Sequence, residues 1–313
     1  MRMLRNAALA MVVVMFVSAS LSAQWAPYPT PGVPKGPDGK PNLTGLAPRT
    51  ADGKPDLSGI WENIRGNAGG QRGNAGGQRG NAGANAGANA AANPRGNAPA
   101  PAPAAPAPPA AAPAAPTGPP TVTFGNAGSG FPGGLPYTPM ASELVKKRMA
   151  DNSKDNPDAH CLPMGFMQFH THPQPRKIIQ TPGMILIIYE ANSGLRQIFT
   201  DGRPLPGKDA EPWWYGYSVG KWEGDTLVVE TTGFREEGEW LDVRGSPLTD
   251  AAKVTERFRR PNYGNLEMEI TVDDPKAYTK PWTVKLNQRI MLDTELIEFI
   301  CEERDATHYV GGR

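Results

Sequence analysis

Two stretches in the C-terminal third restrict this chain most: NLEMEITV, Asn265 to Val272, and WTVKLNQRI, Trp282 to Ile290. In the first, Leu266, Met268, Ile270 and Val272 share one face, and Glu267, Glu269 and Thr271 take the other. In the second, Trp282, Val284, Leu286 and Ile290 oppose Thr283, Lys285, Asn287 and Arg289. Successive side chains change sides only in extended backbone, so this pattern marks strands with one dry and one wet face.

The same reading extends upstream. RKIIQTPGMILIIYEA gives two strands around Pro182-Gly183, and LRQIFTDG gives a third that ends in an Asp-Gly turn. YGYSVGKWEGDTLVVETTGF reads as a hairpin turning at Glu223-Gly224-Asp225. KVTERFRR and LIEFICE complete the set, with SGIW (Ser58 to Trp61) as an early strand. One helix is expected at SELVKKRMAD, Ser142 to Asp151, behind a cap-type Thr138 and a first-turn Pro139. About eight strands joined mostly by short turns predict an all-β domain, an antiparallel meander closed into a barrel or folded as a sandwich.

This domain occupies residues 121–313, and three different segments precede it. Residues 1–23 carry Arg2 and Arg5, then the apolar run Ala7 to Val17, then small residues up to Ala23. That is the layout of a secretory signal peptide cleaved near Ala23, and the run is too short for a membrane span. A periplasmic or secreted protein with no membrane span in the mature chain is expected. Residues 24–64 form a Pro/Gly-rich arm in which DGKPNLTG (Asp38 to Gly45) returns as DGKPDLSG (Asp52 to Gly59). Only the second copy runs on into an apolar pair, Ile60-Trp61. Residues 65–120 repeat GNAGGQR and grade into PAPAAPAPPAAAPAAP. With almost nothing to bury, this insertion is expected to be a disordered spacer.

Charge and cysteines narrow the function classes. The chain has 32 basic and 31 acidic side chains. Loss of Arg2 and Arg5 leaves a mature balance near −1, with no electrostatic case for nucleic acid. Cys161 and Cys301 are the only cysteines. In an oxidising compartment two cysteines in one domain most simply form a disulfide. It would close a loop of about 140 residues, worth at most roughly 5 kcal/mol by chain entropy.

The motifs GKPDLSGIW, CLPMG, IIQTPG, DGRPLPG, GKWEGDTLVVETTGF, VTERFRR and DDPKAYTKPW occur in this order. The series resembles that of a family of exported bacterial proteins of uncharacterised function, over Gly53 to Trp61 and then roughly Pro136 to Cys301. The resemblance implies export but no activity, ligand or cofactor. Its Cys-Leu-Pro-x-Gly element matches Cys161 to Gly165 and does not require His160, His170 or His172. SGIW is also similar to the Gly-x-Trp opening of lipocalin-type barrels.

Three sets of residues are candidates for chemistry. HCLPMGFMQFHTHP holds His160, His170 and His172. On an extended segment the last two point to one side, about 6.5–7 Å apart at Cα, a spacing that can chelate a transition metal. A Cys161–Cys301 bridge would bring His308, Glu302 and Glu303 near them. The alternative is a proline-marked loop of solvated histidines. The run WWYGY, with Trp213, Trp214 and Tyr217, and Trp222 beyond it, can stack on a sugar or another flat ligand, or can fill a barrel core and rim. Among the carboxylates Asp201, Glu230, Asp242, Glu256, Asp273 and Asp274, only Glu230 and Glu256 lie within strands, where an acid can face inward. Nucleophile, phosphate-loop, dinucleotide and haem motifs are absent.

The expected role is non-catalytic: binding a small-molecule ligand at a barrel mouth, or contact with a cell-envelope component. A metal-dependent or carbohydrate-active enzyme and a purely structural envelope component are the alternatives. No cofactor is expected unless the histidines hold a metal.

Overall fold

Turn chemistry cuts the chain into strands where the alternation starts and stops. The computed structural model describes residues 28–64 and 118–299, apart from 208, 236–238 and 298. Residues 1–27 (with the expected signal peptide), the 65–117 stretch, Cys301 and His308 lie outside the described residues. The strands are β1 (Gly59–Asn63), β2 (Arg176–Thr181), β3 (Met184–Tyr189), β4 (Leu195–Phe199), β5 (Tyr217–Glu223), β6 (Thr226–Thr232), β7 (Lys253–Asn262), β8 (Asn265–Asp273) and β9 (Trp282–Met291). They pair in chain order into a closed barrel. Gly183 (φ 80°) turns β2 into β3, and Gly224 (φ 59°) turns β5 into β6. Both positions need the left-handed backbone that glycine adopts without penalty.

Closure depends on the early strand. β1 pairs with β2 on one edge, Trp61 opposite Arg176, and with β9 on the other, Trp61 opposite Ile290. The fold is therefore the all-β barrel expected from the alternation, with two departures. First, β4 and β5 run parallel and share only two residue pairs, Ile198–Ser218 and Phe199–Val219. The excursion Thr200 to Gly216 brings the chain back to the end at which β4 began, so the meander is broken once. Second, the expected C-terminal strand LIEFICE is not seen: Leu296 and Ile297 are irregular, and most of its remainder lies outside the described residues.

The inward rows fill the lumen. Leu266, Met268, Ile270 and Val272 of β8 meet Val284 and Leu286 of β9, Leu227 and Val229 of β6, and Phe258 of β7 in one buried core. Trp61 lies in the same core and donates its indole N–H to the Leu57 carbonyl at 3.0 Å.

Among the described residues, two α-helices lie outside the strand series. The expected one, α1 (Pro139–Ala150), is capped by the Thr138 side chain, which accepts from the Ala141 amide. A second, α2 (Phe166–Thr171), is buried along its whole length. It closes the end of the barrel where β1 and β3 finish and β2 and β4 begin. Asn63 Nδ2 donates to the carbonyls of His170 and His172 at 2.9 Å each, and Arg176 Nη1 donates to the His170 carbonyl at 2.5 Å. These bonds satisfy the carbonyls that a helix leaves open at its C-terminus.

The arm repeats in structure as well as in sequence. Each copy of the repeat closes with an antiparallel bridge, Lys35 to Pro41 and Arg49 to Pro55. The second copy buries Leu57 and leads into β1, whereas its counterpart Leu43 is 38 % exposed.

Candidate functional site

The alternation that builds the barrel also points a few polar side chains inward. Arg196 precedes Ile198 on β4, and Glu256 lies between Val254 and Phe258 on β7; all five are buried. Ser218 of β5 and Thr231 of β6 complete the layer beneath α2. Arg196 Nη1 donates to Glu256 Oε1 at 2.9 Å, and Nη2 makes a close ion pair with Oε2. Nη2 also reaches Ser218 Oγ and Thr231 Oγ1, each at 3.0 Å. The two hydroxyls are 2.9 Å apart.

α2 contributes His170 to this layer. Its Nε2 lies 2.9 Å from Glu256 Oε1, and its Nδ1 lies 3.2 Å from the Tyr189 hydroxyl. The tautomer that satisfies both contacts has Nε2–H donating to the carboxylate and Nδ1 accepting from tyrosine. Arg196 Nη1 is also 2.9 Å from Nε2, so two donors share one acceptor oxygen. Burial pushes His170 down to about 4; Glu256 favours the imidazolium, while Arg196 opposes it. Burial works against the Glu256 charge, but Arg196 and then His170 hold its carboxyl down to about 2. Burial likewise works against the Arg196 charge, and the facing Glu256 raises its pKa nonetheless. The result is a neutral histidine beside a formed ion pair, with the guanidinium committed to partners inside the barrel.

The histidines do not gather as the extended-segment reading expects. Residues 170 and 172 fall at the end of a helix, where a two-residue step turns about 200° rather than returning to the same side. His172 caps α2, faces Phe124 edge-on at 4.8 Å, and accepts from the Gln174 amide at 3.3 Å. It is buried, not solvated, and burial pushes it down to about 4. His160 is exposed on a 3-10 turn (Pro157–His160), with Nε2 at 2.7 Å from the Lys154 carbonyl. Among the described residues no three His, Cys, Asp or Glu side chains come together as a metal cage. His308, Glu302 and Glu303 lie outside them.

The aromatic run lines a surface cleft. At the β4–β5 seam, where the parallel pairing ends after two residues, a cleft of about 370 Å³ opens. Trp213, Trp214, Tyr215 and Tyr217 line it from one side and Leu195, Gln197 and Phe199 from the other, with Arg196 and Ser218 among its lining residues. Tyr217 stacks on Phe199 at 5.1 Å and meets Trp213 at 5.0 Å. Arg203 covers the Phe199 ring at 3.8 Å and donates to the Tyr217 hydroxyl at 3.1 Å. Trp213 is 37 % exposed, and its backbone amide is anchored on the Gly233 carbonyl. Trp222 is not part of this cleft: on β5 it follows Ser218 and Gly220 in the inward phase and packs against the core.

The other carboxylates are structural. Glu230 faces outward and pairs with Lys253 at 2.5 Å. Asp242 accepts from the amides of Ala127 and Ser246, and Asp274 from the Thr249 amide and hydroxyl. Asp201 pairs with Arg203, and Asp273 is exposed at the end of β8. Arg196, Tyr189, Ser218 and Thr231 were not singled out from the sequence. The available signal was a charged residue in the apolar phase of a strand: Arg196, Arg176 and Arg260 are such cations, and Glu256 is the matching acid.

Comparison with family models, with curated proteins and with solved structures finds no match to this chain.

Proposed function

We propose that this is an exported, non-catalytic ligand-binding barrel protein whose ligand stacks in the aromatic cleft at the β4–β5 seam. The carrying observation is that cleft: about 370 Å³, walled by two tryptophans and three other aromatic rings, at the weakest pairing in the barrel. Its size lies within the range of small-molecule sites. A lumen site is disfavoured because Val284 and Leu286, which would have to line it, are packed in the core. A flat ring such as a pyranose suits indole faces, whether free in solution or displayed on the cell envelope. The buried Arg196–Glu256–His170 layer supports a scaffold role, because its charges neutralise one another. No helix among the described residues is long and apolar enough to cross a membrane.

The test is a titration of the purified protein with neutral mono- to tetrasaccharides, followed by tryptophan fluorescence. We expect one of them to shift the emission saturably, and Trp213→Ala to weaken it by roughly tenfold or more, as loss of an aromatic anchor does. Saturable binding undiminished in Trp213→Ala would move the site elsewhere.

Export carries the disulfide with it. Cys161 is not a free thiol, and Cys301, the only other cysteine, lies outside the described residues. The proposal pairs the two. Denatured, unreduced protein should then show no titratable thiol, and two would refute the pairing.

A further inference from the structure

A second cavity, of about 630 Å³, lies beside α1 and shares no lining residue with the aromatic cleft. Met140, Ala141, Leu144, Pro247 and Leu248 make most of its apolar wall. Three ionisable side chains belong to the same wall, and they are not equivalent. Lys276 is held by Asp250 at 2.6 Å. Arg148 lies over the Trp240 ring at 4.4 Å and donates one N–H to the Gly245 carbonyl at 2.7 Å, yet among the described residues it forms no ion pair. Burial pushes its pKa down to about 10.

Glu239 is 2 % exposed, and neither carboxyl oxygen has a well-formed hydrogen bond. Burial raises its pKa well above the usual value; the Phe166 amide, directed at it, does not offset this. Burial therefore favours its uncharged form. Gly165 makes room for it, since a Cβ there would stand 2.6 Å from Glu239 Oε2. The same Cβ would stand closer still to the Trp240 carbonyl oxygen, so close approach of this backbone also requires the glycine of the CLPMG motif. The carboxyl oxygens of Glu239 are themselves buried, so the wall offers a partly buried cation without a carboxylate and an apolar slot. A partly buried guanidinium favours an anionic oxygen, and the slot favours hydrocarbon.

We propose that this cavity binds an anion with an apolar tail, a medium-chain monocarboxylate in the simplest case, its head group on Arg148 and its tail along Met140, Leu144 and Leu248. The site is independent of the aromatic cleft. Three eight-carbon probes separate the head-group chemistries by calorimetry on the full chain at pH 7, below micelle-forming concentrations: octanoate, 1-octanol and octylammonium. Octanoate should bind roughly tenfold or more tighter than octanol, the ratio a charge-assisted hydrogen bond supplies. Arg148→Met should bring octanoate to the octanol level. Leu144→Trp, which fills the slot and leaves the cation, should abolish binding of both, with circular dichroism confirming that each variant is folded. The proposal is overturned if octanoate does not bind. It is equally overturned if octylammonium binds as tightly as octanoate, which would make Glu239 a counter-ion, or if folded Arg148→Met keeps wild-type affinity for octanoate.

Discussion

Glu256→Ala is expected to destabilise the barrel by about 3–5 kcal/mol, the cost of leaving one member of a buried pair without its partner. Arg196 is buried beneath α2 and has no second carboxylate within ion-pair distance among the described residues. Removing Glu256 also takes away the acceptor of His170 Nε2, which anchors α2 to the strands. The neighbouring hydroxyls of Ser218 and Thr231 can solvate a guanidinium but cannot neutralise it. The cost should fall largely away when both charges go: Glu256→Leu combined with Arg196→Met replaces the pair with hydrocarbon of similar bulk, an exchange that is often neutral. Urea denaturation of the two proteins measures the difference. A Glu256→Ala protein as stable as wild type would mean that water or rearrangement already compensates Arg196. A stable Glu256→Ala protein that has lost sugar binding would shift the layer from scaffold to site.

The second large effect is on acid stability. His170 and His172 are pushed down to about 4, His170 by burial against the opposing pull of Glu256, and His172 by burial with Arg176 adding to it. An unfolded histidine titrates near 6.5. Between those values the unfolded chain takes up protons that the native state refuses. Each imidazole therefore contributes stability that is complete above pH 6.5, declines as pH falls, and is gone near 4. Glu239 acts oppositely: its raised pKa lets the native state hold a proton that the unfolded chain releases, so its contribution weakens as pH rises above the ordinary carboxylate range. The net curve mixes these, and a variant isolates one of them. His172→Gln keeps a polar cap on α2 and removes one titration. The unfolding free energy lost between pH 7 and pH 5 should shrink by about 2 kcal/mol relative to wild type. An unchanged pH dependence would show that His172 is accessible to protons in the native state.

The barrel was legible because its inward rows are mostly apolar, with few polar interruptions such as Gln288 on β9. From Leu266 to Val272 and from Trp282 to Ile290 a sequence reader can assign every face, and the register confirms it with Met268 opposite Leu286 and Ile270 opposite Val284. The parallel seam was not legible. Nothing local in LRQIF or YGYSVG states which direction its neighbour runs, because that is decided by where the excursion Thr200 to Gly216 returns. α2 was also missed. FMQFHT lies between prolines 163 and 173 and is too short to show helical periodicity, so its helix depends on tertiary bonds from Asn63 and Arg176 rather than on propensity. That one error turned His170 and His172 into a same-side pair. The aromatic cleft was half visible: the run WWYGY stands out, but the facing Leu195, Gln197 and Phe199 arrive only through the fold.

The central claim, a ligand in the seam cleft above a filled barrel, is tested most directly by backbone amide shift mapping in two-dimensional NMR, with the sugar that gives the largest fluorescence change. The account predicts perturbations at Leu195 to Phe199 and Trp213 to Ser218, and none at Met268, Val284 or Leu286. Perturbations centred on Met268, Val284 and Leu286 would contradict it and return the ligand to the lumen.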